Sequence, residues 1–216
     1  MAESSKCPDS DDLQHLQDFL ADKRNLVVLS GAGISVGSGI PTYRDKAGNW
    51  KRSNPIQHQD FMSRKSARQR YWLRSYSGWP AVASAVPSPS HRAIAELERR
   101  KIVKMVVTQN VDRLHQHAGS RNVIDLHGRL DEVICMCCQK VIPRHDLQSK
   151  LTLLNPSFSQ QGEIAPDGDA EVAEGSVPFV AVPPCENCGG ILKPNVVFCG
   201  DNVNKSIVQR VYDGID

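Results

Sequence analysis

Short, continuous runs of apolar residues mark three candidate strands in the first 130 residues. The runs are 26–29, 103–107 and 123–126, and none of them alternates with polar positions, which is typical of strands buried on both faces of a parallel sheet. Apolar side chains at helical spacing predict helices over 9–21 and 91–100. Strands that alternate with helices predict an α/β fold: a Rossmann-like parallel sheet with helices on both faces.

The remaining segments are less regular. Residues 45–90 are polar and basic and contain four prolines, so we expect loops and short helices there. Between 138 and 185, and above all over 156–184, the pattern dissolves into Pro, Gly, Ser and acidic residues, which indicates an irregular insertion. Strand character resumes at 196–198, and 206–212 predicts a last helix.

Composition excludes several classes of protein. Of 216 residues, 40% are hydrophobic and 23% charged, and the net charge is +2, so we expect neither a membrane nor a nucleic-acid partner. No apolar run approaches the ~20 residues of a membrane span. Acidic residues near the N-terminus, such as Glu3 and Asp9, fit neither a signal peptide nor a transit peptide. We therefore expect the cytoplasm, as in a bacterial protein, with the mitochondrial matrix as the alternative if a transit segment is missing.

A glycine-rich loop follows the first predicted strand and precedes a predicted helix. Gly31, Ala32, Gly33 and Ser35 belong to this loop, whose backbone could approach a dinucleotide pyrophosphate closely. The spacing to Gly37 departs from the GxGxxG fingerprint, so a tight strand-to-helix turn is the alternative.

An aromatic side chain and a guanidinium stand close to this loop. Tyr43 and Arg44 end the segment SGIPTYR, and they could cover a sugar face and contact a phosphate. The alternative is that Tyr43 is packed and Arg44 is solvated.

Polar side chains follow the second and third predicted strands directly. Gln109, Asn110 and Asp112 come after the second strand, and His127 comes after the third. Ligands of open α/β sheets bind beyond the carboxyl ends of the strands, so we expect these four side chains to share one crevice. A histidine there suits general-base catalysis because its pKa lies near neutrality. The alternative is that Asn110 or Asp112 only caps the following helix.

Four cysteines form two CxxC pairs, Cys135 with Cys138 and Cys185 with Cys188. Four thiolates close the tetrahedral shell of one structural Zn²⁺, and each CxxC turn presents two of them. Cys137 is a competing ligand, but the two-residue spacing of the second pair favours Cys138. Redox-active dithiols are the alternative to zinc.

Several motifs stand in an order that resembles the sirtuin family of NAD-dependent protein deacylases. They are GAGIS (31–35), SGIPTYR (38–44), TQNVDRLHQHAGS (108–120), LHG (126–128), the two CxxC pairs and KPNVVFCGD (193–201). The resemblance runs from about residue 13 to the last residue. Segments near Trp79, Asn155 and 165–169 are similar to the class II branch, which holds the mitochondrial lipoamidase-type sirtuin and its bacterial relatives.

The resemblance implies removal of acyl groups from protein lysines with NAD as co-substrate, giving nicotinamide and 2′-O-acyl-ADP-ribose. His127 would be the general base on the ribose hydroxyl, and Asn110 would act beside it on the nicotinamide ribose. Acyl-lysine proteins would be the partners, lying as an added strand on Val196, Val197 and Phe198. The implied NAD contacts are Gly31, Ala32, Gly33, Ser35, Tyr43, Arg44, Gln109, Asn110 and Asp112.

The predicted domains follow from these motifs. Residues 1–130 and 190–216 would form the NAD-binding domain, with a helical and loop insertion of a small domain over 45–90. Residues 131–189 would form the zinc-binding module, with an irregular insertion. Sirtuins continue with a strand and an Asn-containing loop that hold the adenosine half of NAD, so the sequence resembles a C-terminally truncated sirtuin with weakened NAD binding.

Other functions remain open at this point. A mono-ADP-ribosyltransferase or a lipoamidase would use the same fold and pocket. A zinc-ribbon module that binds nucleic acid or protein is the alternative of another class, supported by a basic stretch over 64–74 that includes Tyr71 and Trp72. A catalytically silent fragment is the third.

Overall fold

The computed structural model describes residues 9–42, 47, 56–157 and 180–215. Its parallel sheet has the strand order β1-β2-β3, where β1 is Leu26–Ser30, β2 is Val103–Thr108 and β3 is Val123–Asp125. Ser30 of β1 and Asp125 of β3 both align with Thr108 of β2, so the carboxyl ends of the three strands lie side by side. The three strands predicted in the first 130 residues and their parallel pairing are confirmed, whereas the strand expected at 196–198 lies earlier, over Leu192–Val196.

Helices lie on both faces of this sheet, as predicted. The described helices of the chain are α1 (Ser10–Ala21), a 3₁₀ helix (Ala32–Ser38), α2 (His58–Ser63), α3 (Lys65–Ser84), α4 (Pro89–Arg99), α5 (Leu114–His117), α6 (Arg144–Leu154) and α7 (Lys205–Ile215), of which α4 and α7 contact β2. Met105 and Val107 of β2 pack with Val211 of α7. Because alternate strand residues point to opposite faces, Thr108 faces the other side, where α4 also contacts β2.

The prediction that β1 is buried on both faces is wrong. β1 pairs only with β2 and forms an edge of the sheet in the described residues. Its side chains are half-buried, and Leu29 is 67% exposed. A continuous apolar run therefore identified the strand correctly but not its position in the sheet.

A second, antiparallel sheet has the order β5-β4-β6. β4 is Gly128–Cys135, β5 is Val141–Pro143 and β6 is Leu192–Val196, and α6 packs against β4. The segment after Cys138 was expected to be irregular, yet it contains β5 and the 11-residue helix α6. Leu147 and Leu151 of this helix are almost fully buried, and their four-residue spacing was the available sequence signal.

The expectation of loops and short helices over 45–90 is wrong for α3, which has 20 residues and contains Pro80. Proline cannot donate a backbone hydrogen bond, so the carbonyl of Tyr76, four residues earlier, loses its helical partner. That carbonyl accepts instead from the side-chain amide of Gln148 on α6, at 2.9 Å. Tertiary contact thus compensates for a helix breaker.

The aromatic residues of the basic stretch are buried. Tyr71 is 4% exposed and Trp72 is fully buried, in a core that includes Phe61 and Phe198. Neither ring can serve as a stacking platform, so the aromatic part of the observation that favoured nucleic-acid binding is lost. Across the described parts of the chain, no helix combines the length and apolar character required to span a bilayer.

Candidate active site and zinc centre

The glycine-rich loop leads from β1 into the 3₁₀ helix. An added Cβ at Gly31 would lie 3.9 Å from the Oε1 atom of Gln109, and one at Gly33 would meet nothing within 4 Å. The backbone at Gly33 therefore borders open space, as a close approach of a ligand requires. Tyr43 and Arg44 lie outside the described residues.

Ser35 lies at the floor of this site and is fully buried. Its hydroxyl donates to Oδ2 of Asp112 at 2.7 Å and accepts from the side-chain amide of Asn110 at 3.0 Å. Oδ1 of Asp112 accepts from the backbone N–H of Leu114 at 2.9 Å, at the start of α5. Asp112 thus has the capping role that we considered as an alternative, and it also orients Ser35 and Asn110.

The imidazole of His127 is tied to the end of β2. Its Nδ1 atom lies 3.1 Å from the backbone carbonyl oxygen of Gln109. Because a carbonyl oxygen can only accept, Nδ1 carries the proton and Nε2 keeps its lone pair. His127 is half-exposed, so Nε2 is the atom that could take a proton from a bound hydroxyl.

The backbone of His127 is joined to β6. The N–H of Val197 donates to the carbonyl of His127 at 2.8 Å, and Gly128 aligns with Val196. Gly128 has φ +80°, and an added Cβ would lie 2.1 Å from the carbonyl oxygen of Asn195. Only glycine allows this close approach, which brings the candidate peptide edge beside the candidate base.

A buried lysine holds this edge. Lys193 is 4% exposed, its ammonium bonds the carbonyl of Val196, and it lies 4.4 Å from the centroid of the Phe198 ring. Asp201 lies 3.5 Å from the ammonium and 3.1 Å from Nδ1 of His58. Burial lowers the pKa of Lys193, while Asp201 opposes that shift. Sequence reasoning missed Lys193, although it opens the motif KPNVVFCGD.

Within the described residues, one cluster has the donor set and spacing of a metal centre. The Sγ atoms of Cys135, Cys138, Cys185 and Cys188 all lie within 4.8 Å of one another. Cys135 and Cys188 are 3.5 Å apart, and Cys138 and Cys185 are 3.8 Å apart. Zinc–sulfur bonds of about 2.3 Å place tetrahedral sulfurs about 3.8 Å apart, whereas a disulfide needs about 2.05 Å. The cluster fits a structural zinc with all four positions filled by protein, and Cys137 is excluded from it.

Hydrogen bonds shift the pKa values of the cysteines in opposite directions. The backbone N–H of Lys140, followed by the side chain of Asn187, lowers the pKa of Cys138 to about 6. Against the backbone N–H of Gly190, the side chains of Cys138 and Cys135 raise the pKa of Cys188 to about 12. An added Cβ at Gly190 would lie 2.9 Å from Sγ of Cys135 and 2.6 Å from Cβ of Cys137, so glycine is required there too. β4 runs from Gly128 to Cys135, so the zinc cluster lies at the opposite end of this strand from His127.

The fold and site define an α/β protein with a cluster of polar side chains at the carboxyl ends of its parallel strands and a closed four-cysteine centre away from it. Residues 31–216 match the Sir2 family. An NAD-dependent protein deacetylase of Xanthomonas axonopodis is 51% identical over 91% of this chain and 68% of the relative. The NAD-dependent protein deacylase Sirt4 of Drosophila melanogaster is 46% identical over 93% of this chain and 66% of the relative.

Solved structures agree with this relationship. A Sir2 complex with p53 peptide and NAD⁺ has a TM-score of 0.69 and 30% identity, covering 94% of this chain and 70% of that one. A Sir2 variant with deacetylated p53 peptide and 3′-O-acetyl ADP ribose has a TM-score of 0.72 and 30% identity, covering 94% and 71%. The chain belongs to the Sir2 family, the sirtuins, as its motifs predicted.

Proposed function

We propose that this chain is an NAD-dependent protein deacylase that removes acyl groups from lysine side chains. The observation that carries the proposal is the position of His127, which is bonded to Gln109 on one side and to Val197 on the other. An acid–base group, a polar strand end and a candidate peptide edge therefore meet at one place. The names of the relatives, NAD-dependent protein deacetylases, support the same activity.

The residues present fit the binding of NAD. The open backbone at Gly33 suits the pyrophosphate, and the side chains of Gln109, Asn110 and Asp112 follow the strand end where the nicotinamide ribose would lie. When bound, NAD supplies an anomeric carbon that accepts the acyl oxygen as nicotinamide leaves. Ser35 is buried under Asn110 and Asp112, so we assign it to orienting these side chains as well as to the cofactor site.

His127 would act as the general base. The proton on Nδ1 is held by the Gln109 carbonyl, so Nε2 is available to take the proton of a ribose hydroxyl. The acyl group would end on ADP-ribose. Asn110 would orient the ribose through its carboxamide oxygen, since its amide nitrogen is committed to Ser35.

The protein substrate would add as a strand next to Val196, Val197 and Phe198. The N–H of Val197 is occupied by His127, and the carbonyl of Val196 is occupied by Lys193. The carbonyl of Val197 and the N–H of Phe198 have no partner among the described residues. These two groups belong to one trans peptide unit and point in opposite directions, so only one of them can face an added strand, and we assign that role to the N–H of Phe198.

A mass-spectrometric panel tests the activity. The unchanged chain is incubated with NAD and with acyl-lysine peptides that differ only in the acyl group. Two variants are assayed in the same way: His127→Ala, and the control His117→Ala, which changes an exposed histidine of α5. We expect acyl-ADP-ribose from the unchanged chain and the control, and a loss of about 10²–10⁴-fold in His127→Ala. ADP-ribose attached to protein would favour the mono-ADP-ribosyltransferase instead. No NAD consumption with any peptide would refute both.

We also propose that residues 131–189 form a zinc module inserted between 1–130 and 190–216. The four sulfurs come from both ends of this segment, which supports the division. Limited proteolysis with and without a chelator tests it, because metal loss should expose cleavage sites in 131–189 first. The reduced thiolate cluster favours the cytoplasm as the compartment, and cell fractionation checks this assignment.

A further inference from the structure

Two arms of hydrogen bonds hold Asn110, one from its side chain and one from its backbone. From the side chain, the first arm runs through Ser35 to Asp112, whose Oδ1 accepts from Leu114. From the backbone, the N–H of Asn110 donates to Oγ1 of Thr108 at 3.1 Å. Both arms reach α5: the side-chain arm ends at the N–H of Leu114, and the backbone arm continues to the next residue of the helix.

That residue is His115, which is 1% exposed. Its Nε2 lies 2.8 Å from Oγ of Ser30, and Oγ of Ser30 donates to Oγ1 of Thr108 at 2.9 Å. The chain His115–Ser30–Thr108–Asn110 therefore connects α5, β1 and β2. None of the NAD contacts assigned to the site includes His115, Ser30 or Thr108.

The direction of these bonds fixes the state of the imidazole. The single hydrogen of the Ser30 hydroxyl goes to Thr108, so Nε2 of His115 must donate to Ser30. Nδ1 is buried without a partner among the described residues, which suits a nitrogen that carries no proton. The ring of His91 packs edge-on at 4.8 Å, and burial lowers the pKa of both histidines.

We propose that His115 is a positioning residue for the deacylation reaction: its Nε2–H tautomer sets Ser30 and Thr108, which hold the backbone of Asn110 while Ser35 and Asp112 hold its side chain. This inference rests on the proposed function. Since the chain acts on Asn110 and not on the peptide edge, its loss should impair the use of NAD and spare the peptide.

Two variants at different links test the chain. His115→Leu removes the donor, and Thr108→Val removes the hydroxyl while keeping the shape. Each should lower kcat/KM for NAD by about tenfold, as for one buried hydrogen bond, with the KM for the acyl peptide unchanged. Thr108→Ser and His115→Gln retain the needed groups and should recover most of the activity. His117→Leu is the matched control, because it makes the same change at an exposed histidine of α5.

The double variant separates a connected chain from independent packing. If the two residues act through one chain, His115→Leu with Thr108→Val should lose about as much as either alone. Two results would overturn the inference. One is that the losses in kcat/KM for NAD multiply to about hundredfold in the double variant. The other is that the KM for the acyl peptide rises by as much as kcat/KM for NAD falls.

Imidazole ¹⁵N shifts provide a readout that does not need activity. We expect His115 to show a protonated Nε2 and an unprotonated Nδ1, and the Asn110 amide to exchange faster in Thr108→Val. The opposite tautomer would overturn the inference. If the unchanged chain produced no acyl-ADP-ribose but showed this tautomer and protection, the proposed function would fail while the hydrogen-bonded chain stood.

Discussion

Replacing Gly128 by alanine tests the link between the candidate base and the peptide edge. Gly128 follows His127 and pairs with Val196, and its φ is +80°. Alanine adds a single methyl group, so any effect comes from backbone geometry. No charge, hydrogen-bonding group or candidate ligand contact is removed.

The size of the effect follows from one distance. The new Cβ would lie 2.1 Å from the Asn195 carbonyl oxygen, and real Cβ atoms essentially never approach closer than 3.0 Å. The chain at Gly128 or at Asn195 must therefore move by at least about 0.9 Å. A misplacement of about 1 Å at a reacting group can cost about 10²-fold in rate. The positive φ adds about 1–2 kcal/mol of instability for a residue with a Cβ.

Gly119→Ala is the matched control, because Gly119 has φ +103° and an added Cβ there would meet nothing within 4 Å. Both variants should lose the stability that a positive φ costs, and Gly128→Ala should lose more in urea unfolding because its backbone must also shift. Only Gly128→Ala should lose about hundredfold in kcat/KM, in both peptide and NAD titrations. If the two variants agreed within about threefold, the close approach at Gly128 would not position His127, and the reasoning would be wrong.

Three further outcomes are expected. Gly190→Ala should reduce bound zinc well below one per chain in elemental analysis, because the new Cβ would lie 2.9 Å from the sulfur of Cys135. Full zinc content would contradict the geometry of the cysteine cluster. Lys193→Met should raise the KM for the peptide about tenfold and leave the KM for NAD unchanged, because it releases the Val196 carbonyl. Equal effects on both constants would refute the role of Lys193. Burial lowers the pKa of His115 from 6.5 to about 4. Between these pH values the unfolded chain therefore takes up a proton that the folded chain excludes. As the pH falls from 6.5 to 4, the free energy of unfolding should decrease by at most about 3 kcal/mol. His115→Gln should flatten that part of the pH curve, and an unchanged slope would show that other groups cause it.

The strands and the cysteine pairs could be predicted from the sequence because each depends on a local pattern. Continuous apolar runs located β1, β2 and β3, and CxxC spacing located the four sulfurs. The same reasoning could not place β1 at an edge, since a strand's neighbours are set by tertiary pairing. Nor could it find the 20-residue helix α3, because Pro80 reads as a helix breaker and only a partner on α6 satisfies the freed carbonyl of Tyr76.

The polar site was predictable in part. That Gln109, Asn110, Asp112 and His127 lie at one strand edge follows from their positions after parallel strands. Their mutual bonds do not follow, because sequence order says nothing about which buried hydroxyl meets which imidazole. His115 was passed over for this reason, although it lies within the motif that carries Asn110.

β4 connects the zinc centre to the strand edge that carries His127, which is why the centre matters for the site. Its last residue, Cys135, pairs with Leu192, and its first residue, Gly128, pairs with Val196, so one strand pair connects both ends. If β4 slipped by one residue against β6, the side chains that face the core would be exchanged for those that face solvent. The register of this pair is already irregular between Gly128 and Val133. The two ends must therefore be fixed independently. The cysteine cluster fixes one end because Cys135 is the last residue of β4 and its Sγ lies 3.5 Å from that of Cys188, which precedes β6 in the chain. The close approach at Gly128 fixes the other end. Metal removal should consequently loosen the peptide edge as well as the zinc module.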